Sequence, residues 1–157
     1  LIAPPIEHIE FGIICDYRPQ GQEFAAPDTS AGLIRRGGDP IVFDIATDQV
    51  PGLLGIAFGI RFLASPDIGN RAVTMVTRHP SFGTEYKDVE SWPSDLTGGT
   101  FSARYFYFEY DYELAPGPWS MEVWLDGRMI VRQDFTVHTG AAARELLDQC
   151  PTEGLSS

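Results

Sequence analysis

The chain has 157 residues, 43% hydrophobic and 21% charged, which suits a folded domain with one core and argues against disorder. Its formal net charge is -11 and Lys87 is its only lysine, so phosphate backbones and anionic lipid heads are repelled and no nucleic-acid partner is expected. No run approaches the roughly 20 apolar residues needed to cross a bilayer, so no membrane insertion is expected either.

Ile9, Phe11, Ile13, Cys15 and Tyr17 alternate with His8, Glu10, Gly12, Ile14 and Asp16. A period of two marks a strand with one buried face, and the first set is the expected core face. Arg18 to Pro40 loses that pattern and reads as a long loop carrying the adjacent Arg35 and Arg36. Ile41, Phe43 and Ile45 open a second strand that runs to about Asp48.

After the Pro51-Gly52 turn, Leu54, Ile56, Phe58, Ile60 and Phe62 alternate with Gly55, Ala57, Gly59, Arg61 and Leu63. The small residues of the second set allow a loop or another chain to pack close. Ser65 to Asn70 has turn chemistry, and a strand from Arg71 to His79 ends at Pro80. Ser81 to Gly99, with Pro93, Gly98 and Gly99, reads as irregular.

Thr100 to Leu114 reads as one long strand. Phe106, Phe108, Tyr110, Tyr112 and Leu114 form its core face, with Tyr105, Tyr107, Glu109, Asp111 and Glu113 opposite. Trp119, Met121, Val123 and Leu125 continue the pattern after Pro116-Gly117-Pro118. At Asp126-Gly127 a two-residue hairpin loop would put Arg132 on the core face. A three-residue loop of Leu125, Asp126 and Gly127 avoids this, as does a nearby bulge of the same parity. Gly140 to Asp148 reads as a short helix docked by Leu146 and Leu147 and stopped by Pro151. The expected architecture is an all-β, immunoglobulin-like antiparallel β-sandwich of about seven strands with a short C-terminal helix. It forms a single domain over residues 1–157, with its core over about 6–138 and the helix and tail over 139–157.

The stretches Val50-Pro51-Gly52 with Phe58-Gly59-Ile60, then Arg78-His79-Pro80, then Glu113-Leu114-Ala115-Pro116-Gly117-Pro118-Trp119 with Phe135-Thr136-Val137 occur in that order, after Glu10-Phe11-Gly12-Ile13. In this combination the chain resembles a bacterial family of small domains of unknown function, over roughly Ile6 to Val137. The resemblance implies a sandwich and no activity, and it supplies no catalytic residues. Cys150 lies outside it.

The candidate surface is the outer face of the long strand. Tyr105 and Tyr107 are expected at its aromatic end and Glu109, Asp111 and Glu113 at its acidic end, with neighbouring carboxylates about 7 Å apart. Trp92 and Trp124 can join it, and the long loop or the C-terminal helix can cover it. His79, at a strand end before Pro80, can fix a loop or take part in binding; His8 is expected at the surface. These features point to a non-enzymatic binding or structural module for a protein or peptide, or for a second copy of the chain as a homodimer. Two alternatives remain. One is a calcium- or carbohydrate-binding module using the acidic residues, with Asp88 and Glu90 as further ligands. The other is a hydrolase assembled across loops. No zinc-ligand spacing, nucleophile elbow or nucleotide cradle is present, so no cofactor is expected. Cys15, on the apolar side of its strand, is expected as a buried free thiol; the alternative is a disulfide with Cys150. The chain begins at Leu1 rather than Met, which a removed signal peptide or a shortened chain would explain. A periplasmic or secreted location is favoured over a cytoplasmic one.

Overall fold

A computed structural model describes residues 1–18, 22–31, 33–36 and 41–151, with Gln22 and residues 33–36 described by backbone alone. Two β-sheets face each other. In the smaller, β1 (Ile6–Ile14), β5 (Ala57–Ala64) and β8 (Phe101–Tyr107) lie antiparallel in the order β1-β5-β8. The larger has the order β4-β10-β9-β6-β7, built from β4 (Gln49–Pro51), β6 (Asn70–Arg78), β7 (Val89–Thr97), β9 (Gly117–Leu125) and β10 (Arg128–His138). Among the described residues only the short β4–β10 pair is parallel. A separate hairpin joins β2 (Gln22–Ala25) to β3 (Leu33–Arg36), and α1 spans Gly140–Leu147.

The alternating side chains close over a shared interior. Ile13, Phe58, Ile60 and Phe62 from the smaller sheet, with Phe108 just past β8, meet Trp119, Met121, Val123 and Phe135 from the larger. Trp119 stands edge-on to Phe58 and Phe106 at centroid distances of 5.5 and 5.0 Å, and its Nε1–H donates to the Ala115 carbonyl at 2.8 Å. Each such buried side chain stabilises the fold by about 2–3 kcal/mol. Gly12 and Gly59 face each other across β1 and β5. A Cβ on Gly12 would lie 2.2 Å from the Ile45 carbonyl oxygen, so the missing side chain lets residues 43–45 cross the outer face of the sheet.

Several elements differ from the sequence expectation. The run from Arg18 to Pro40 contains the β2–β3 hairpin rather than an unbroken loop, and the side chains of Arg35 and Arg36 lie outside the described residues. The expected strand over Ile41 to Asp48 reduces to an isolated bridge between Ile45 and Ile13. Its continuation leaves β1 to join β10, where the Asp48 carbonyl accepts the Thr136 N–H. Ser81 to Gly99 is irregular only to Asp88, because β7 follows. Pro93 is tolerated there because β7 is an outer strand: Ser91 sends its N–H outward to Asp28, and Pro93 shares that orientation.

The long strand expected to Leu114 stops at Tyr107, and a 3-10 turn forms over Asp111–Glu113. One carboxylate oxygen of Glu113 accepts the N–H groups of both Glu109 and Tyr110, at 2.8 and 2.9 Å, and so draws the backbone out of extended form. The β9–β10 turn is the two-residue Asp126-Gly127 form, both residues at positive φ, rather than the three-residue loop. A register shift between Met129 and Val131 restores the parity that keeps Val131, Phe135 and Val137 inside. Cys15 is bonded to Cys150, with Cα atoms 5.9 Å apart, and is not a free thiol. α1 docks chiefly through Ala143, while Leu147 is exposed.

Candidate functional site

Tyr105 and Tyr107 lie on the outer face of β8, half-buried beneath Tyr17. The Tyr17 ring packs 5.0 and 5.1 Å from theirs, and its hydroxyl donates to the Tyr105 hydroxyl at 2.7 Å. Tyr17 lies two residues after Cys15, so the disulfide fixes the segment that covers the two tyrosines.

The acidic residues do not continue this face. Glu109 and Asp111 lie past the end of β8, and Glu113 is buried. Burial raises the Glu113 carboxyl to about 7 against the pull of its two backbone N–H donors, and the nearby charges of Glu90 and Glu109 raise it further. Among the described residues no group of three or more His, Cys, Asp or Glu is placed to share a metal ion. Tyr110, expected in the core, is exposed and begins a ladder of rings. It stacks on Tyr112 at 5.5 Å, and Tyr112 stacks on Tyr86 at 4.2 Å. Burial, then the charge of Glu113, pushes the Tyr112 hydroxyl up to about 12.

His79 lies elsewhere, between the sheets. Its side chain is fully buried, stacked 3.8 Å from Phe82 and tilted against Trp119. Nδ1–H donates to the Pro80 carbonyl at 2.7 Å, and Nε2 stands 2.6 Å from the Glu90 carboxylate, one proton lying between them. The other oxygen of Glu90 accepts the Ser30 N–H at 2.8 Å. His79 thus ties the start of β7 and the turn after β2 to the core, and it presents no surface beside Tyr105 and Tyr107.

Next to this pair is a residue the sequence reading did not single out. Arg104 projects inward from β8, in phase with Phe106 and Phe108. Its guanidinium donates to Thr77 Oγ1 and lies 4.2 Å over the Trp92 ring, while Nε has no hydrogen-bond partner among the described residues. Burial lowers its pKa to about 9, against the opposing charges of Glu90 and Tyr105. The signal was its parity with the two phenylalanines, which an arginine obscures. Glu122 was also missed: it is buried beneath Arg78 and Trp124, which donate to it at 2.8 and 2.9 Å.

The margins of the smaller sheet follow from one register. Ile13 sends its N–H to Ile45 and receives that of Asp44, so its main-chain groups point away from β5. By alternation, those of Phe11 and Ile9 do the same. Across β5, Phe108 bonds to Ile56, so Phe106 and Arg104 face β5, whereas Tyr107, Tyr105 and Ala103 turn their main-chain groups outward. Apart from those of Ile13, none of these outward groups has a partner among the described residues.

Beside the β1 margin lies a groove of about 340 Å³. Ile9, Phe11, Val42, Phe43 and Ala46 supply its apolar lining, and Glu10 and Arg61 its charge. Arg61 Nε is 3.2 Å from Glu10 Oε1, near enough for ion pairing but too poorly aligned for a hydrogen bond. Arg61 also donates to the Ile41 carbonyl at 3.1 Å and lies over the Phe101 ring.

Two facing, mainly antiparallel sheets closed over one core define an immunoglobulin-like β-sandwich. A crystal structure of an immunoglobulin-like protein (PA1606) from Pseudomonas aeruginosa shares this fold, with a TM-score of 0.56 at 20% identity over 87% of this chain and 94% of that one. The chain belongs to the family described as "Domain of unknown function (DUF3859)", whose profile matches residues 3–137. The Pseudomonas fluorescens alkylpurine DNA glycosylase AlkC, bound to DNA containing an abasic site analog, overlaps 53% of this chain and 25% of its own. At a TM-score of 0.34 and 12% identity, that overlap carries no argument. No curated protein sequence matches the chain. Among the described residues no helix is long and apolar enough to cross a membrane.

Proposed function

We propose that the chain is a single-domain, non-enzymatic binding module that takes a protein or extended peptide on its three-stranded sheet. The observation that carries this reading is the pair of outer strands, β1 and β8, with main-chain donors and acceptors directed outward. Such a row is a template for an added strand, and neighbouring side chains then select the sequence. Tyr105 and Tyr107 supply amphipathic contact area beside the β8 row. The Cys15–Cys150 bond supports an oxidising compartment, periplasmic or secreted. The acidic module is disfavoured, because Glu113 is turned inward and spent on backbone N–H groups. A homodimer is the less favoured form, since two chains of charge -11 repel each other.

The test is panning of a random peptide library on the folded, oxidised protein, together with light scattering. Enrichment of peptides with alternating apolar positions supports the reading. A strictly monomeric protein that enriches no peptide class overturns it.

A further inference from the structure

The two open margins of the smaller sheet are not equivalent. β8 offers main-chain groups beside Tyr105 and Tyr107, which Tyr17 covers, whereas the β1 row runs beside a preformed apolar groove. The chain already pairs a segment of itself to this margin. Residues 44–45 bond to Ile13, then leave at Ala46 because Asp48 and β4 are held by β10. The next two outward-facing residues, Phe11 and Ile9, are left without that partner, and Ala46 lines the groove at the point of departure.

Charge indicates what fits there. The Glu10 carboxylate lines the groove, with His8 Nε2 3.0 Å from one of its oxygens, and Glu7, Asp44 and Asp48, exposed residues close in sequence to the lining, add negative charge, Asp44 also accepting the Cys15 N–H. Against them stands Arg61, which Glu10 and the Ile41 carbonyl already hold. The apolar floor is formed by Ile9, Phe11 and Phe43, with Val42 at its lip 69% exposed. An added strand turns alternate side chains to opposite sides. One set would enter the apolar groove, and the other would face the carboxylates. A second copy of this acidic chain supplies the wrong charge.

We propose that the β1 margin binds an extended peptide in which apolar and basic side chains alternate. Its main chain bonds to Ile9 and Phe11, and an apolar side chain lies in the groove against Phe43 and Val42. This rests on the reading of the chain as a peptide-binding module and names the margin and the ligand chemistry.

The probes are a fluorescent decapeptide of alternating Lys and Val, its Glu–Val counterpart, and a Lys–Val peptide N-methylated at every second residue. Binding to the full oxidised chain is read by anisotropy, and the site by amide hydrogen exchange. The Lys–Val peptide is expected to bind and to protect the amides of Ile9 and Phe11. The Glu–Val and N-methylated peptides should each bind at least about 10-fold more weakly, through lost charge pairing and lost main-chain bonds respectively. Val42→Lys, at an exposed position, should weaken the Lys–Val peptide about 10-fold while leaving the circular dichroism unchanged. Protection of Ala103, Tyr105 and Tyr107 in place of Ile9 and Phe11 would overturn the proposal and leave the broader reading intact. Equal binding of all three peptides would overturn it as well. No binding of any probe also overturns it, and library panning then decides the broader reading separately.

Discussion

Replacing both Cys15 and Cys150 with serine removes a bond that closes a loop with a sequence separation of 135. In the chain-entropy treatment a loop of that length restricts the unfolded ensemble by about 17 cal/mol/K, or about 5 kcal/mol at 25 °C. Engineered and native bridges commonly deliver less, so a loss of about 3–5 kcal/mol is expected. For a chain of this size that lowers the melting temperature by roughly 10–20 °C. Urea unfolding followed by tryptophan fluorescence should show a lower midpoint, with a slope that rises slightly because the uncrosslinked unfolded chain exposes more surface. Amide exchange adds a local readout. α1 has Ala143 as its buried residue and spans only Gly140–Leu147, too short to persist alone, so its amides should lose protection before those of β9. A double variant within about 1 kcal/mol of the parent would refute the reasoning, for it would mean that the bond restricts neither the unfolded chain nor the docked helix.

Glu113→Gln should stabilise the protein at pH 8 by up to about 3 kcal/mol, because the neutral amide oxygen still accepts the two N–H groups without a buried charge. The sign follows from the raised carboxyl, about 7 folded against 4.5. The parent keeps this contribution below pH 4.5 and loses it as pH rises towards and through 7, whereas the variant does not. Urea midpoints at pH 4, 6 and 8 test this, and parallel profiles for the two proteins would contradict it. Gly12→Ala should cost about 1–3 kcal/mol by displacing residues 43–45 from β1, read as a lower urea midpoint with increased exchange at Asp44 and Ile45. Trp119→Ala should cost about 3–5 kcal/mol and remove most of the near-ultraviolet circular dichroism, since the rings of Phe58, Phe106 and Phe108 all pack on it.

The alternating runs of β1, β5, β9 and β10 were legible in the sequence because one face of each is apolar, interrupted in β10 only at Gln133. β7 was not, because Glu90 and Ser94 stand at positions in phase with Trp92 and Leu96, and Pro93 suggests a break. The pairing of Glu90 with His79 and Ser30, and of Ser91 with Asp28, accommodates the polar groups of that strand, and such pairings are not local in sequence. The β2–β3 hairpin lacks an apolar period and was hidden for the same reason. At Tyr107 the pattern of side chains continued while the backbone did not. The Glu113 carboxylate accepts two N–H groups, and periodicity carries no information about that capture. The tyrosine half of the candidate surface was therefore readable and its acidic half was not. Arg104 shows the converse: its position was legible from parity, but its residue type pointed to solvent.

The amino-terminal strand engages both layers. Leu1 and Ala3 bond to β10, and after Pro5 the chain crosses to pair with β5 as far as Ile14, one residue before Cys15. A pull on the amino end would first peel residues 1–14 from the two layers in turn. At Cys15 the tension would pass through sulfur to Cys150, so the ladders between the two cysteines would carry no load in series. Under traction from its ends this sandwich would thus yield by a short, bounded extension and then resist like a closed ring.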